Sequence, residues 1–145
     1  MAKFVLNTDG IEDNFFSGTR LLGIMSQLKH YRFCWLINAN LNFDFRLNTD
    51  VEVQLKKKGR NYFFEVYQFC DTDCETEHYI YHNQFEGEYL LPEFKHFDFL
   101  WLVKADVFNE ESFILLQQNL KKIDSVQLVT ELTYEKIRHK SNLIF

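Results

Sequence analysis

The chain's single proline, Pro92, begins a segment that contains two carboxylates, Glu93 and Asp98. A pair of carboxyl groups works as general acid and base only when the two lie within about 10 Å of each other. Five residues of extended chain span roughly 16 Å and turn side chains to opposite faces. We therefore interpret the two carboxylates as structural, and a catalytic pair would need a sharp turn between them.

Asp98 also stands at the start of a long apolar run, which places it next to the expected core. A carboxylate that loses water without gaining a partner costs several kcal/mol, roughly. The sequence offers three cations as partners: Arg20, Arg32 and Lys140. An enzyme with a site formed by Glu93, Asp98 and Lys140 remains an alternative, because converging charged groups with shifted pKa values are typical of catalysis.

Cys70, Cys74 and His78 follow one another at intervals of four residues, with His82 four further on. Thiolates and imidazoles are zinc ligands, but sequence-recognisable zinc sites usually contain tighter Cys-x2-Cys pairs. The carboxylates between these residues solvate a turn without any metal. We interpret the segment as a polar hairpin tip and expect no metal. Nucleophile elbows and glycine-rich phosphate loops are absent from the sequence, so we expect no cofactor either.

The proline segment resembles the signature of the IPExxxVDY family of small bacterial proteins. Pro92, Glu93 and Asp98 match that signature, while Leu91, Phe97 and Phe99 replace its isoleucine, valine and tyrosine. The resemblance continues, in matching order, through Leu21–Ser26, Tyr31–Asn38 and Lys140–Phe145.

That resemblance implies no particular activity. It does single out six residues as a structural or binding motif, and these are Pro92, Glu93, Asp98, Arg32, Lys140 and Asn142.

The composition predicts one domain, residues 1–145, because 46% of the residues are apolar and little of the chain resembles a linker. A net charge of −5 disfavours broad binding to nucleic acid. No stretch approaches the roughly 20 apolar residues of a membrane span, and the N-terminus lacks the pattern of a signal peptide. With three cysteines, an odd number, we expect a cytoplasmic protein that is not associated with membranes.

The periodicity of apolar residues predicts the helices and strands. In the first half we expect short strands at Lys3–Leu6 and Leu21–Met25. Ser26 should cap a largely buried helix, Gln27–Asn40, whose apolar stripe contains Leu28, Tyr31, Trp35 and Leu36. Alternating residues then predict an antiparallel meander over Phe43–Leu47, Val51–Leu55, Tyr62–Phe69 and His78–Phe85.

In the second half, Asp98–Lys104 is apolar on both faces, which is typical of a central strand. Asn109 should cap a helix with a stripe of Phe113, Leu116, Leu120 and Ile123. Val126–Leu132 and Ser141–Phe145 complete the strands. The sequence therefore predicts an α+β fold: a mostly antiparallel sheet of about six strands, with two main helices on one face.

The surplus of aromatic residues favours a non-catalytic protein–protein interaction module, with another protein or a second copy of the chain as partner. The candidate interface consists of Tyr62, Tyr67, Tyr79 and Tyr81. The alternative is an accessory factor that binds RNA, which requires the basic clusters Lys56–Arg60 and Lys136–Lys140 to share one face. RNA is the weaker hypothesis because the chain is acidic overall.

Overall fold

The structure is a computed structural model that describes residues 10–71 and 75–145. Within these residues the chain forms a six-stranded sheet, a two-stranded hairpin and three helices. The strands are β1 Thr19–Ser26, β2 Arg46–Lys57, β3 Arg60–Cys70, β4 Thr76–His82, β5 Gln84–Phe85, β6 Glu88–Tyr89, β7 Phe99–Ala105 and β8 Val126–Leu132. The helices are α1, described over residues 10–16, α2 His30–Leu41 and α3 Glu110–Lys121. The predicted α+β class is confirmed.

The main sheet has the order β2-β3-β4-β7-β1-β8, and all its neighbouring strands are antiparallel. Strand β7 lies near its centre and carries apolar side chains on both faces, as predicted. Leu100 and Leu102 belong to the core on one side of the sheet, whereas Phe99, Trp101 and Val103 belong to the core on the other. The sheet is thus covered on both faces.

Helices α2 and α3 pack on the same face of the sheet, which confirms their predicted arrangement. Phe33 of α2 stacks on Phe99 of β7, with ring centroids 4.1 Å apart, and Phe113 and Leu120 of α3 are buried in the same core. Asn109 caps α3 as expected, because its Oδ1 accepts a hydrogen bond from the backbone N–H of Ser112.

Helix α1 and the C-terminal segment, residues 133–145, cover the opposite face. Phe16 of α1 and Leu143 are buried there. The third helix was not predicted. The expected strand at Ser141–Phe145 is also wrong, since Lys140–Leu143 forms a 3-10 helix whose Leu143 is buried in the core.

Other boundaries differ in smaller ways. The two strands predicted at Phe43–Leu47 and Val51–Leu55 are largely one strand, β2, whose pairing is irregular between Leu47 and Glu52. The strand predicted at Lys3–Leu6 lies outside the described residues. Among those described, no helix is long and apolar enough to cross a membrane.

Candidate functional site

The proline segment makes the sharp turn that the carboxylate pair would need. Pro92–Phe94 is a 3-10 helix with proline in its first turn, where the missing N–H costs nothing. Phe97 then lies against β1, so closely that a Cβ on Gly23 would be 2.8 Å from its ring. The turn thus folds the segment back onto the sheet before β7 begins.

Asn83 holds this turn in place from the end of β4. Its side-chain amide donates to the carbonyls of Phe94 and Phe97, at 3.1 and 2.9 Å, and its Oδ1 accepts from the N–H of Leu91 at 2.9 Å. Asn83 is fully buried, so these bonds form away from water. Sequence reasoning missed this residue, because it placed Asn83 inside a continuous strand, His78–Phe85, whereas β4 ends at His82.

Glu93 binds the C-terminal segment rather than a ligand. Its Oε2 accepts hydrogen bonds from the backbone N–H groups of Arg138 and His139, at 2.6 and 2.9 Å. Its Oε1 is 2.9 Å from Nδ1 of His139. Desolvation raises the pKa of Glu93, but the hydrogen bonds from its own N–H, His139 and Arg138 outweigh it, and the net pKa is lowered.

Asp98 binds the end of β1. Its Oδ2 accepts a hydrogen bond from the N–H of Ser26 at 2.9 Å. Burial raises the pKa of Asp98, and the bond from Ser26 offsets that increase only in part. In the described part of the chain, none of the three expected cations pairs with Asp98. The partner of this carboxylate is a backbone N–H.

The other motif residues lie apart from each other. Asn142 donates from its side chain to the carbonyl of Leu90 at 2.8 Å, which ties the C-terminal segment to the proline segment. Lys140 begins the last 3-10 helix and is half-buried. Arg32 is exposed on α2. The structure therefore brings Pro92, Glu93 and Asn142 into one contact region, but it does not assemble a charged cluster of Glu93, Asp98 and Lys140.

The four candidate interface tyrosines are mostly internal. Tyr62, Tyr79 and Tyr81 are at most 8% exposed, and the Tyr81 hydroxyl donates to the carbonyl of Leu143 at 2.9 Å. Tyr67 is half-buried near His30. These side chains leave little surface for a partner.

The most exposed aromatic side chains among the described residues are on α2 instead. The stripe expected to be buried is turned outward: Tyr31 is 57% exposed and Trp35 is 66% exposed. The buried face consists of Phe33, Cys34 and Ile37. Helix α2 is apolar on both faces, so its periodicity alone could not show which face would be covered.

Beside Trp35, α2 and the end of α3 enclose a groove of about 590 Å³. We call this the interhelical groove. Its apolar part consists of the exposed Trp35 and of four half-buried residues, Leu28, Leu36, Leu41 and Ile123. Its polar part consists of Arg32, Asn40, Asn119, Lys122, Asp124 and Ser125.

A second concave site, which we call the His78 pocket, has a volume of about 500 Å³ and lies between the start of α3 and the ends of β4 and β7. His78 is 9% exposed and accepts a hydrogen bond at Nδ1 from Nε1–H of Trp101, at 3.0 Å. Burial lowers the pKa of His78 to about 4, although the nearby charge of Asp71 acts in the other direction.

The basic hairpin between β2 and β3 is partly neutralised. Lys57 pairs with Glu88 at 3.3 Å, and Arg60 pairs with Glu86. In the other cluster, the N–H groups of Arg138 and His139 are bonded to Glu93. These contacts involve only part of each cluster, and the RNA hypothesis stays a prediction.

The described residues contain no group of three or more metal-ligating side chains in suitable positions. Cys70 is not a free thiol, and Cys74 lies outside the part of the chain that the structure describes. Burial raises the pKa of Cys34 to about 12, so this thiol is a poor nucleophile at neutral pH.

The chain matches no protein-family model. It also matches no curated protein.

Proposed function

We propose that this protein is a non-catalytic interaction module of the cytoplasm, and that its binding surface is the interhelical groove with Tyr31 and Trp35 at its side. The exposure of Trp35 carries the proposal. Tryptophan, tyrosine and arginine dominate the binding energy of protein interfaces. A tryptophan that leaves 66% of its surface in water and lines a partly apolar groove has the position of such an anchor.

The lining of the groove favours an amphipathic helix of a partner protein. Its apolar floor suits the apolar face of a helix, as in other helix-in-groove complexes. Arg32 and Lys122 border the floor, and neither forms an ion pair within the described residues. A partner helix with acidic residues beside its apolar face would complement them.

We also propose that the chain belongs with the bacterial IPExxxVDY proteins. Support comes from the contacts of the matching residues: Pro92 starts the 3-10 turn, Glu93 holds the C-terminal segment and Asp98 holds β1. A signature that organises the fold would persist among proteins with different partners.

The proposed interaction is tested by affinity capture from the native lysate with three baits: the unaltered protein, Trp35→Ala and Phe63→Ala. Phe63 is a matched control, because it is an exposed aromatic residue, 46% accessible, on β3. We expect a partner that is retained by the unaltered and Phe63→Ala baits and lost from Trp35→Ala. Equal capture by all three baits would contradict the proposal.

A second copy of the chain is the other occupant to be tested. Sedimentation velocity over a range of concentrations distinguishes it from a foreign partner. A dimer that dissociates on the Trp35→Ala substitution would identify the groove as a self-association surface. A monomer at every concentration would leave the foreign partner as the occupant.

A further inference from the structure

The His78 pocket is independent of the interhelical groove and has features of a small-molecule site. Ligand pockets are concave, largely apolar and fitted with a few fixed polar groups. The His78 pocket has an apolar part and a polar part. The apolar part includes Phe43, Val103, Phe108, Phe113 and Leu116, and the polar part, besides His78, consists of Asp71, Glu75, Thr76, Asn109 and Ser112. Its volume of about 500 Å³ is within the usual range for such sites.

The Trp101–His78 hydrogen bond fixes the tautomer of the imidazole. An indole N–H can only donate, so Nδ1 of His78 must be the acceptor. In a neutral ring the proton then resides on Nε2. Because Trp101 is fully buried in the centre of the sheet, this arrangement does not depend on solvent.

The second nitrogen of His78 is left without a partner. Within the described residues, Nε2 makes no hydrogen bond, although the histidine is 91% buried and lines the pocket. Burial holds the pKa of His78 at about 4, so the ring is neutral near pH 7 and Nε2–H is a permanent donor. Of the described residues, only Ser125 has a fully buried polar side-chain atom without a partner, so Nε2 is open to water from the pocket, and a ligand that offers an acceptor would replace that water.

Charges at the pocket restrict the ligand further. Asp71 and Glu75 contribute to the lining, whereas lysine and arginine do not among the residues described. An anionic ligand would be repelled by these carboxylates. We propose that the His78 pocket binds a small, uncharged, largely apolar molecule with one hydrogen-bond acceptor, such as an aromatic ketone or amide, and that Nε2–H of His78 donates to that acceptor.

The test is an NMR titration of the full-length, isotope-labelled protein with three probes. Acetophenone is apolar and carries a carbonyl acceptor, fluorobenzene is of similar shape with a very weak acceptor, and benzoate is anionic. We expect acetophenone to shift the His78 ring nitrogens and the amides of Thr76, Ala105 and Phe113, with a Kd of about 10 mM or tighter. Fluorobenzene should bind about three- to tenfold more weakly, because Nε2–H then stays unpaired. Benzoate should be weaker than acetophenone.

Variants localise the binding. His78→Phe removes the donor, but it also deprives Trp101 of its acceptor and can destabilise the protein. Leu116→Trp therefore serves as a second variant, since it fills the pocket without altering His78. Leu115→Trp is its matched control, because Leu115 is the adjacent residue of α3, is 54% exposed and does not line the pocket.

Acetophenone shifts that persist in Leu115→Trp and vanish in Leu116→Trp would support the proposal. The proposal is overturned if acetophenone causes no shifts at the pocket at about 10 mM, or if the shifts survive in Leu116→Trp. Equal affinities for acetophenone and fluorobenzene would also overturn it, because Nε2–H would then play no part.

Discussion

Glu93 contacts His139 twice, once through the backbone N–H at 2.9 Å and once through Nδ1 of the ring at 2.9 Å. The two residues are 46 positions apart in the chain. Together they join the proline segment to the C-terminal segment, whose Leu143 is fully buried. The side chain of Glu93 is 16% exposed and that of His139 is 50% exposed, so this contact lies at the protein surface.

Glu93→Gln should destabilise the protein by about 1–2 kcal/mol, because an amide oxygen replaces a charged acceptor of several hydrogen bonds. Urea unfolding at pH 7 measures the change. Since the folded pKa of Glu93 is lowered, its stabilisation is complete above the unfolded pKa and is lost as the pH falls through the folded value. The difference in the free energy of unfolding between the unaltered protein and Glu93→Gln should therefore become smaller in acid. Glu111→Gln, at an exposed position of α3, is the control and should change stability by less than about 0.5 kcal/mol.

Asn83→Ala should cost about 3 kcal/mol or more. It removes three hydrogen bonds at a fully buried site and leaves the N–H of Leu91 and the carbonyl of Phe97 without a partner, whereas the carbonyl of Phe94 still accepts from the N–H of Phe97. Thermal and urea unfolding give the magnitude. The exposed Asn61 provides the control substitution to alanine. Equal effects of the two substitutions would mean that Asn83 does not hold the proline segment.

Gly23→Ala should destabilise by about 1–3 kcal/mol, because the added methyl group would meet the Phe97 ring at 2.8 Å. Shortening that ring with Phe97→Leu should recover part of the loss in the double variant, which a double-mutant cycle measures. Gly10→Ala has open space around its Cβ and should not destabilise. If the losses of stability caused by Gly23→Ala and Phe97→Leu were additive in the double variant, the predicted contact would be contradicted.

Stability should fall as the pH is lowered from about 6.5 towards 4. Burial lowers the pKa values of both His78 and His82 to about 4, and His30 contributes to the shift of His82. Between these pH values the unfolded chain binds protons that the folded chain does not, so the folded state loses stability with each step into acid. For His78 the loss is at most about 3 kcal/mol. Urea unfolding at intervals of pH should show this slope, and a flat profile across the window would contradict neutral buried histidines.

Sequence reasoning predicted well the helices and strands whose apolar residues clearly lie on one face, or on both faces. The stripe of α3 with its Asn109 cap, the central strand β7 and the strand Val126–Leu132 are of this kind. Helix α2 begins three residues later than predicted, with Lys29 rather than Ser26 at its N-cap, because Ser26 belongs to β1. Its orientation was predicted wrongly, because Phe33 and Trp35 both lie on apolar stripes and only the stacking of Phe33 on Phe99 decides between them. That choice is made by tertiary packing.

The candidate sites depended on contacts that no local pattern encodes. The partner of Asp98 is the backbone N–H of Ser26, 72 residues away, and the tautomer of His78 is set by Trp101. Sequence reasoning selected Asp98 and His78 because their types can do chemistry. It could not assign their partners, since those are brought together only by the sheet.

Acrylamide quenching of Trp35 fluorescence tests the proposed interaction most directly. Trp101, the other tryptophan, is fully buried, so the difference between the unaltered protein and Trp35→Phe isolates the signal of Trp35. We predict ready quenching of Trp35 in the free protein and clear protection when the captured partner, or a second copy, is bound. A partner that binds while the quenching of Trp35 stays unchanged would contradict the interhelical groove as the interaction surface.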